Sequence, residues 1–171
     1  MTDQVFNVLF LCTANSARSV LAESLMNHWG RGRFRGFSAG SFPRGEIHPM
    51  ALELLRSLHL PTDGLRSKSW DEFGAPGAPE MDFIFTVCDN AAGEICPIWP
   101  GHPVTAHWGV ADPAAVTGDE MQQRQAFREA LRQLENRIRI FTSLRFDALD
   151  RSSLQGETQR IGNISLEAQK T

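Results

Sequence analysis

At 171 residues the chain is long enough to bury one core without disulfide or metal staples, and its net charge of −3 gives no electrostatic case for a nucleic-acid partner. The longest apolar run, Val8 to Cys12, is far too short to cross a bilayer, so no membrane partner is expected. Met1-Thr2-Asp3-Gln4 lacks the basic-then-apolar order of a secretory signal, and a cytoplasmic location is expected. Arg31, Arg33 and Arg35 cluster, as a solvated helix end also would.

Val5 to Leu11 reads as a buried strand, apolar except for Asn7. From Ser19 to Trp29 the spacing turns helical, with Leu21, Leu25 and Trp29 on one face and Gly30 as the stop. Phe34 to Ala39 is predicted as a second strand ending at Gly40. Pro49 to Leu58 sets Leu52, Leu55 and Leu58 on one face before Pro61 ends the helix. A short helical turn is expected around Ser67 to Phe73, then a flexible connector, Gly74-Ala75-Pro76-Gly77-Ala78-Pro79. Met81 to Val87 is a third strand, with Cys88 at its end. Asp89 to Pro103 reads as an irregular loop, Val104 to Trp108 as a fourth strand, and Ala111-Asp112-Pro113 as a turn. A long amphipathic helix is predicted from Asp119 to Leu144, where Phe127, Leu131, Leu134, Ile138 and Phe141 make a single buried stripe. Residues 147–171 form an extension beyond a domain of residues 1–146, either a short extra helix or a mobile tail.

Strands alternating with helices predict an α/β fold: a three-layer sandwich with a four-stranded parallel sheet and helices on both faces. Ligands in such folds bind beyond the carboxyl ends of the strands. Cys12, Cys88 and Asp112 all follow predicted strands directly, which brings them to one edge.

The segment between strand and helix at Cys12 carries the chemistry. Thr13, Ala14, Asn15, Ser16 and Ala17 separate Cys12 from Arg18, with Ser19 next. A loop of this length can wrap its amides into a bowl that converges on one point, at the positive end of a helix. A tetrahedral oxyanion fits such a bowl, and Arg18 can grip two of its oxygens. The same positive field favours the thiolate of Cys12, the nucleophilic form. Ser19 can donate to the Cys12 sulfur, and Asn15 can tie the loop to itself. The competing reading is an ordinary strand-to-helix turn with an incidental cysteine. Three cysteines in a cytosolic chain do not make a disulfide framework. They suit thiol exchange, or else each is a small buried hydrophobe.

These residues resemble the low-molecular-weight protein tyrosine phosphatase superfamily, and within it the arsenate reductase branch. The loop matches at Cys12, Asn15, Arg18 and Ser19. Ser38-Ala39-Gly40, Thr86-Val87-Cys88-Asp89-Asn90, Cys96-Pro97 with Trp99-Pro100, and His107-Trp108-Gly109 leading to Asp112-Pro113 match as well. The resemblance spans Val5 to Leu144. Ala14 stands where the family often has glycine, which puts the loop's backbone geometry in question. Ala17 stands in place of a frequent cysteine and leaves Cys88 as the partner of Cys12.

The resemblance implies a low-molecular-weight tyrosine phosphatase-like fold and reduction of arsenate to arsenite, a detoxifying reaction. It makes Cys12 the nucleophile, Arg18 the clamp and Asp112 the general acid. Residues 13–19 then bind arsenate, with phosphate or sulfate competing. It also implies a relay in which a Cys12–Cys88 disulfide passes to Cys88–Cys96, regenerated by thioredoxin, or alternatively by glutaredoxin with glutathione. A phosphomonoester phosphatase and a non-catalytic oxyanion sensor are the other readings. The absence of tyrosine, with Ala114-Ala115 after Asp112-Pro113, weakens the phosphatase reading, because phosphatases of the superfamily carry tyrosines there. No cofactor is required; relatives place a potassium ion at positions matching Asn15, Glu23 and Ser38, and Lys68 either replaces that ion or is a solvated surface residue. A zinc site of Cys88, Cys96 and His107 lacks compact ligand spacing. Trp70, Trp99 and Trp108 either line a cleft or pack the core. His28, His48, His59 and His102 receive no specific role and are expected mostly as surface residues or helix caps.

Overall fold

The computed structural model describes residues 4–87 and 103–164. Its elements are β1 (Phe6–Cys12), α1 (Arg18–Trp29), β2 (Phe34–Gly40), α2 (Pro49–Ser57), α3 (Asp71–Gly74), β3 (Phe83–Thr86), β4 (Val104–His107), a 3₁₀ turn (Pro113–Ala115), α4 (Glu120–Thr142) and α5 (Arg151–Gly162). The strands form one four-stranded parallel sheet in the order β2-β1-β3-β4. Element types agree with the sequence reading throughout the described chain. Of the expected loop from Asp89 to Pro103, all but Pro103 lies outside the described residues.

Period-two alternation in β1 decides what each face of the sheet meets. Val8, Phe10 and Cys12 join the larger core with α1, α4 and α5. Leu9 and Leu11 point the other way, into a smaller cluster with Ala39, Phe73, Met81 and Ile84. The second face is therefore covered by α3 and the chain flanking it. An aromatic stack fills the larger core: Phe85 and Trp108 lie 3.8 Å apart and nearly parallel, and Phe141 meets Phe83 edge-on at 5.0 Å. Trp108 is a packing residue and lines no cleft.

The stripe expected on α4 is buried in full. Asp119 caps the helix in a reciprocal box, accepting from the Gln122 N–H while its own N–H donates to Gln122 Oε1. Two finer expectations differ. On α1, Trp29 is half-exposed; its Nε1 donates to Glu135 Oε2 at 3.1 Å and the Arg139 guanidinium lies over its ring. A tryptophan with a carboxylate and a cation for partners is satisfied at the surface. On α2, Ala51 and Leu55 are buried while Leu58 is exposed, because the helix ends at Ser57 and Leu58 lies outside its last turn.

The extension resolves into α5, which lies along β4. Asp150 caps it by accepting from the Ser153 N–H at 2.8 Å. Trp108 Nε1 donates to the Thr158 carbonyl at 2.9 Å, and Ile161 is fully buried. The Gln155 side chain accepts from the Thr105 N–H and donates to the Thr105 carbonyl, as a neighbouring strand would.

This contact gives one substitution opposite signs at two sites of the same helix. At Gly162 a Cβ would stand 2.2 Å from the His107 carbonyl oxygen, whereas at Gly156 it would meet open space. Gly162→Ala is expected to destabilise by about 1–3 kcal/mol through overpacking. Gly156→Ala is expected to stabilise by roughly 0.5–1 kcal/mol from helix propensity. Thermal denaturation of the two variants checks the pair.

Candidate functional site

β1 ends at Cys12 in register with Gly40 of β2, and the loop Thr13–Ala17 then climbs into α1. The loop is held from outside mainly by backbone, with the Ser67 hydroxyl also donating to the Ala14 carbonyl at 3.1 Å. The N–H groups of Ser41, Phe42, Arg44 and His48 donate to the carbonyls of Cys12, Thr13, Ala14 and Ser16 at 3.3, 2.9, 2.9 and 2.8 Å. In a trans peptide the N–H of the next residue points opposite to the carbonyl, and the described chain has no cis bonds. Pinning those four carbonyls to segment 41–48 therefore turns the N–H groups of Thr13, Ala14, Asn15 and Ala17 away from it. Successive amides turned to one side make an anion-binding concavity.

The first turn of α1 adds to it. Ala17 at the N-cap offers no side-chain acceptor, and the turn carries no acidic residue. The positive end of the helix is thus left to whatever lies at the loop. The questioned backbone geometry falls on Asn15, which has φ +48°, and Ala14 is not among the positive-φ residues. Asparagine tolerates that region better than residues with longer or branched side chains. Asn15 is fully buried; its Oδ1 accepts from the Lys68 N–H at 2.9 Å and its Nδ2 donates to Ser19 Oγ at 2.8 Å. Because Ser19 Oγ accepts from Asn15, its own proton is left to be donated. Gly40 is required by contact: a Cβ there would lie 2.4 Å from the Thr13 carbonyl oxygen.

Cys12 is 3% exposed, at the base of the loop. Arg18 donates through Nη1 to the Val110 carbonyl at 2.9 Å, and its Nη2 stands 3.6 Å from Asp112 Oδ2. The other oxygen of Asp112 accepts from the Ala114 N–H at 2.9 Å, which fixes the carboxylate at the head of the 3₁₀ turn. Residues about 90 apart in sequence, from α1 and from the turn after β4, are thus brought together as the strand-end argument required. Cys88 and Cys96, and with them Trp99 and His102, lie outside the described residues. The described chain halts at Val87, whose N–H donates to the Leu11 carbonyl beside Cys12. Among the described residues no cluster of three or more His, Cys, Asp or Glu is placed to hold a metal.

Beneath the loop is a buried charged group. Ser38 Oγ donates to Glu23 Oε1 at 2.5 Å, and the Lys68 ammonium stands 3.7 Å from the same oxygen while donating to the Arg66 carbonyl. Lys68 is 7% exposed, so it is no solvated surface lysine. Burial raises the Glu23 carboxyl above its ordinary range despite Lys68, and burial lowers the Lys68 ammonium despite Glu23. For each partner desolvation outweighs their mutual attraction.

Sequence reasoning missed the 41–48 segment as part of the site, and gave His48 only a surface or helix-cap position. His48 donates its N–H to Ser16 and caps α2, its Nδ1 accepting from the Met50 N–H at 3.1 Å, with Phe127 against its ring. Burial and then Arg44 lower its pKa, with Asp112 opposing. The His48-Pro49 pair at a helix start was a legible capping signal. Amides gripping carbonyls leave no such trace.

The family model for low molecular weight phosphotyrosine protein phosphatase matches residues 7–155. An arsenate reductase of Oceanobacillus iheyensis is 30% identical over 139 residues, covering 78% of this chain and 93% of the relative. Among solved structures, the arsenate reductase from Archaeoglobus fulgidus superposes with a TM-score of 0.63 at 26% identity, over 80% of this chain and 99% of that one. A thioredoxin-dependent arsenate reductase of Corynebacterium glutamicum does so with a TM-score of 0.58 at 26% identity, over 82% and 61%.

The buried pair yields a test of its own. Lys68→Met leaves the Glu23 carboxylate buried without its counter-charge and is expected to cost about 3 kcal/mol. Glu23→Gln in the same chain should recover most of that loss. The penalty of Lys68→Met should also shrink as pH falls through the raised pKa of Glu23, because a protonated carboxyl needs no cation. Urea unfolding of the single and double variants between pH 7 and 5 checks both signs.

Proposed function

The chain belongs to the low molecular weight phosphotyrosine protein phosphatase family, and within it we propose that the protein reduces arsenate to arsenite through Cys12 and a relay of Cys88 and Cys96. The observation that carries this reading is the set of loop carbonyls pinned outward by segment 41–48. It turns amides toward one side, at an uncapped helix end, with Cys12 at the base and Arg18 at the rim. That arrangement favours a tetrahedral dianion.

The chemistry follows in three exchanges. The Cys12 thiolate attacks arsenic, and Asp112 gives its proton to the departing oxygen, which leaves as water. Arg18 stands 3.6 Å from Asp112, so an oxyanion seated in the loop competes for the guanidinium and releases the carboxyl for that task. Cys88 then attacks the Cys12 sulfur. The S–As bond breaks with both electrons going to arsenic, arsenite departs, and a Cys12–Cys88 disulfide remains. Cys96 attacks Cys88 and expels the Cys12 thiolate; a dithiol donor reduces the resulting Cys88–Cys96 disulfide. Cys88 directly follows Val87, the residue bonded to Leu11, which supports Cys88 as the partner. Thioredoxin is the donor we favour, in keeping with the dependence of the Corynebacterium glutamicum enzyme; glutaredoxin with glutathione is the other candidate.

We read Lys68 as the cation beneath the loop. Its ammonium stands beside Glu23, Ser38 already donates to that carboxylate, and both ends of the Asn15 amide are engaged. These groups do not fit a potassium ion in addition, and no step is assigned to one. The absence of tyrosine, with Ala114-Ala115 after Asp112-Pro113, argues against aryl phosphoesters as substrates.

Arsenate-dependent oxidation of NADPH through thioredoxin and its reductase tests the reading. Turnover is expected from the wild type, and Cys12→Ser and Cys88→Ser should each lower it by about a thousandfold or more. Full turnover by Cys88→Ser would refute the relay. Aryl phosphate hydrolysis that ignores Cys88→Ser would show a phosphatase instead, and loss of turnover with thioredoxin but not with glutathione in Cys96→Ser would identify a small-thiol route.

A further inference from the structure

Arg137 is the most deeply buried cation among the described residues, at 2% exposure on α4. No carboxylate pairs with it there: its Nη1 donates to the Gly109 carbonyl at 2.8 Å, and its Nε has no hydrogen-bond partner. Burial pulls its pKa down from the ordinary guanidinium range with nothing to offset it. A lone buried cation costs free energy that a methionine or leucine of similar volume would not. Of the buried positions around it, Leu134, Ile138 and Phe141 are apolar and Gln133 is polar but uncharged, so the helix has no general need of charge.

What Arg137 holds explains its presence. Gly109 belongs to the short segment that leaves β4 and delivers Asp112. Trp108 before it is locked by stacking on Phe85 and by its bond to the Thr158 carbonyl. Val110 after it donates its N–H to the Val87 carbonyl at 3.0 Å, and its own carbonyl takes Arg18 at 2.9 Å. Two guanidiniums, one from α4 and one from α1, therefore grip the adjacent carbonyls of residues 109 and 110. Asp112 stands two residues further on, with Arg18 at 3.6 Å.

We propose that Arg137 is a positioning residue for the general acid: by fixing the Gly109 carbonyl from inside the core, it sets where the segment presents the Val110 carbonyl to Arg18 and the Asp112 carboxylate to the oxyanion loop. It touches neither substrate nor nucleophile. The inference rests on the acid role given above to Asp112.

Arg137→Met, which removes the donor and the charge but keeps an unbranched apolar side chain, tests it by kinetics, melting and hydrogen exchange. Arsenate turnover should fall about tenfold or more, as small misplacements near a reacting centre do, with KM for arsenate changed less than about threefold. The melting temperature should hold or rise, whereas a merely structural residue would lose stability and activity together. In an Asp112→Asn background the same substitution should change turnover less than about twofold, and Arg137→Lys should restore part of the loss. Amides of residues 110–112 should exchange faster in Arg137→Met. Wild-type turnover in Arg137→Met, an equal fold-loss in both backgrounds, or unchanged exchange at 110–112 would overturn the proposal. A wild type inactive on arsenate would instead refute the reductase reading, and the exchange measurement would still decide the role of Arg137. Should Arg137→Met fail to fold, Arg137→Gln, whose shorter neutral side chain does not reach the Gly109 carbonyl, carries the same measurements, with wild-type turnover and exchange counting against the proposal.

Discussion

The planar peptide bond is the constraint on which this site depends. A loop that must present several N–H groups to one point has to send its carbonyls the other way, and those carbonyls need partners if they are not to be left wet or unsatisfied. Here segment 41–48 supplies them, residue by residue, directly after β2 pairs with β1. The parallel pairing that builds the sheet thus continues past the strand ends as a sleeve around the loop. The loop's shape and sheet formation share one set of backbone bonds.

Charge is placed around this frame with different degrees of compensation. Arg18 is divided between a carbonyl and a carboxylate that an oxyanion can displace. Lys68 and Glu23 partly compensate each other in a dry setting that disfavours the charge of each, and the backbone N–H of Lys68 braces Asn15 in the loop. Arg137 has only a carbonyl. Positive groups surround the loop on a chain whose net charge is negative, so their field there is made by placement and not by composition.

Much of this was legible in the sequence because it is written in side chains with strict requirements. The strand-loop-helix run at Cys12, the stripe on α4 and the strand-end positions of Cys12 and Asp112 follow from periodicity and from the residue types an anion demands. Gly40 was visible within a matched segment, and the contact it permits at 2.4 Å explains it. The remainder was hidden for identifiable reasons. The sleeve uses main-chain amides of Ser41, Phe42, Arg44 and His48, whose side chains are incidental to the bonds. Trp29 and Leu58 have apolar periodicity but lie at helix ends, where it no longer dictates burial. Arg137 looks like a surface residue by type, and only the fold reveals it as interior; for Lys68 the fold decides between the buried and the surface readings that the sequence left open.

The contact between Gln155 and Thr105 bears on how the molecule behaves among its own copies. Among the described residues β4 is the last strand on its side of the sheet, and a bare terminal strand is a template for intermolecular pairing. By offering one carboxamide to both polar groups of Thr105, and the bulk of a helix alongside, α5 occupies the ladder that another chain would use. α5 thereby covers the edge on which another chain could pair, and a chain shortened before Arg151 would leave that edge bare.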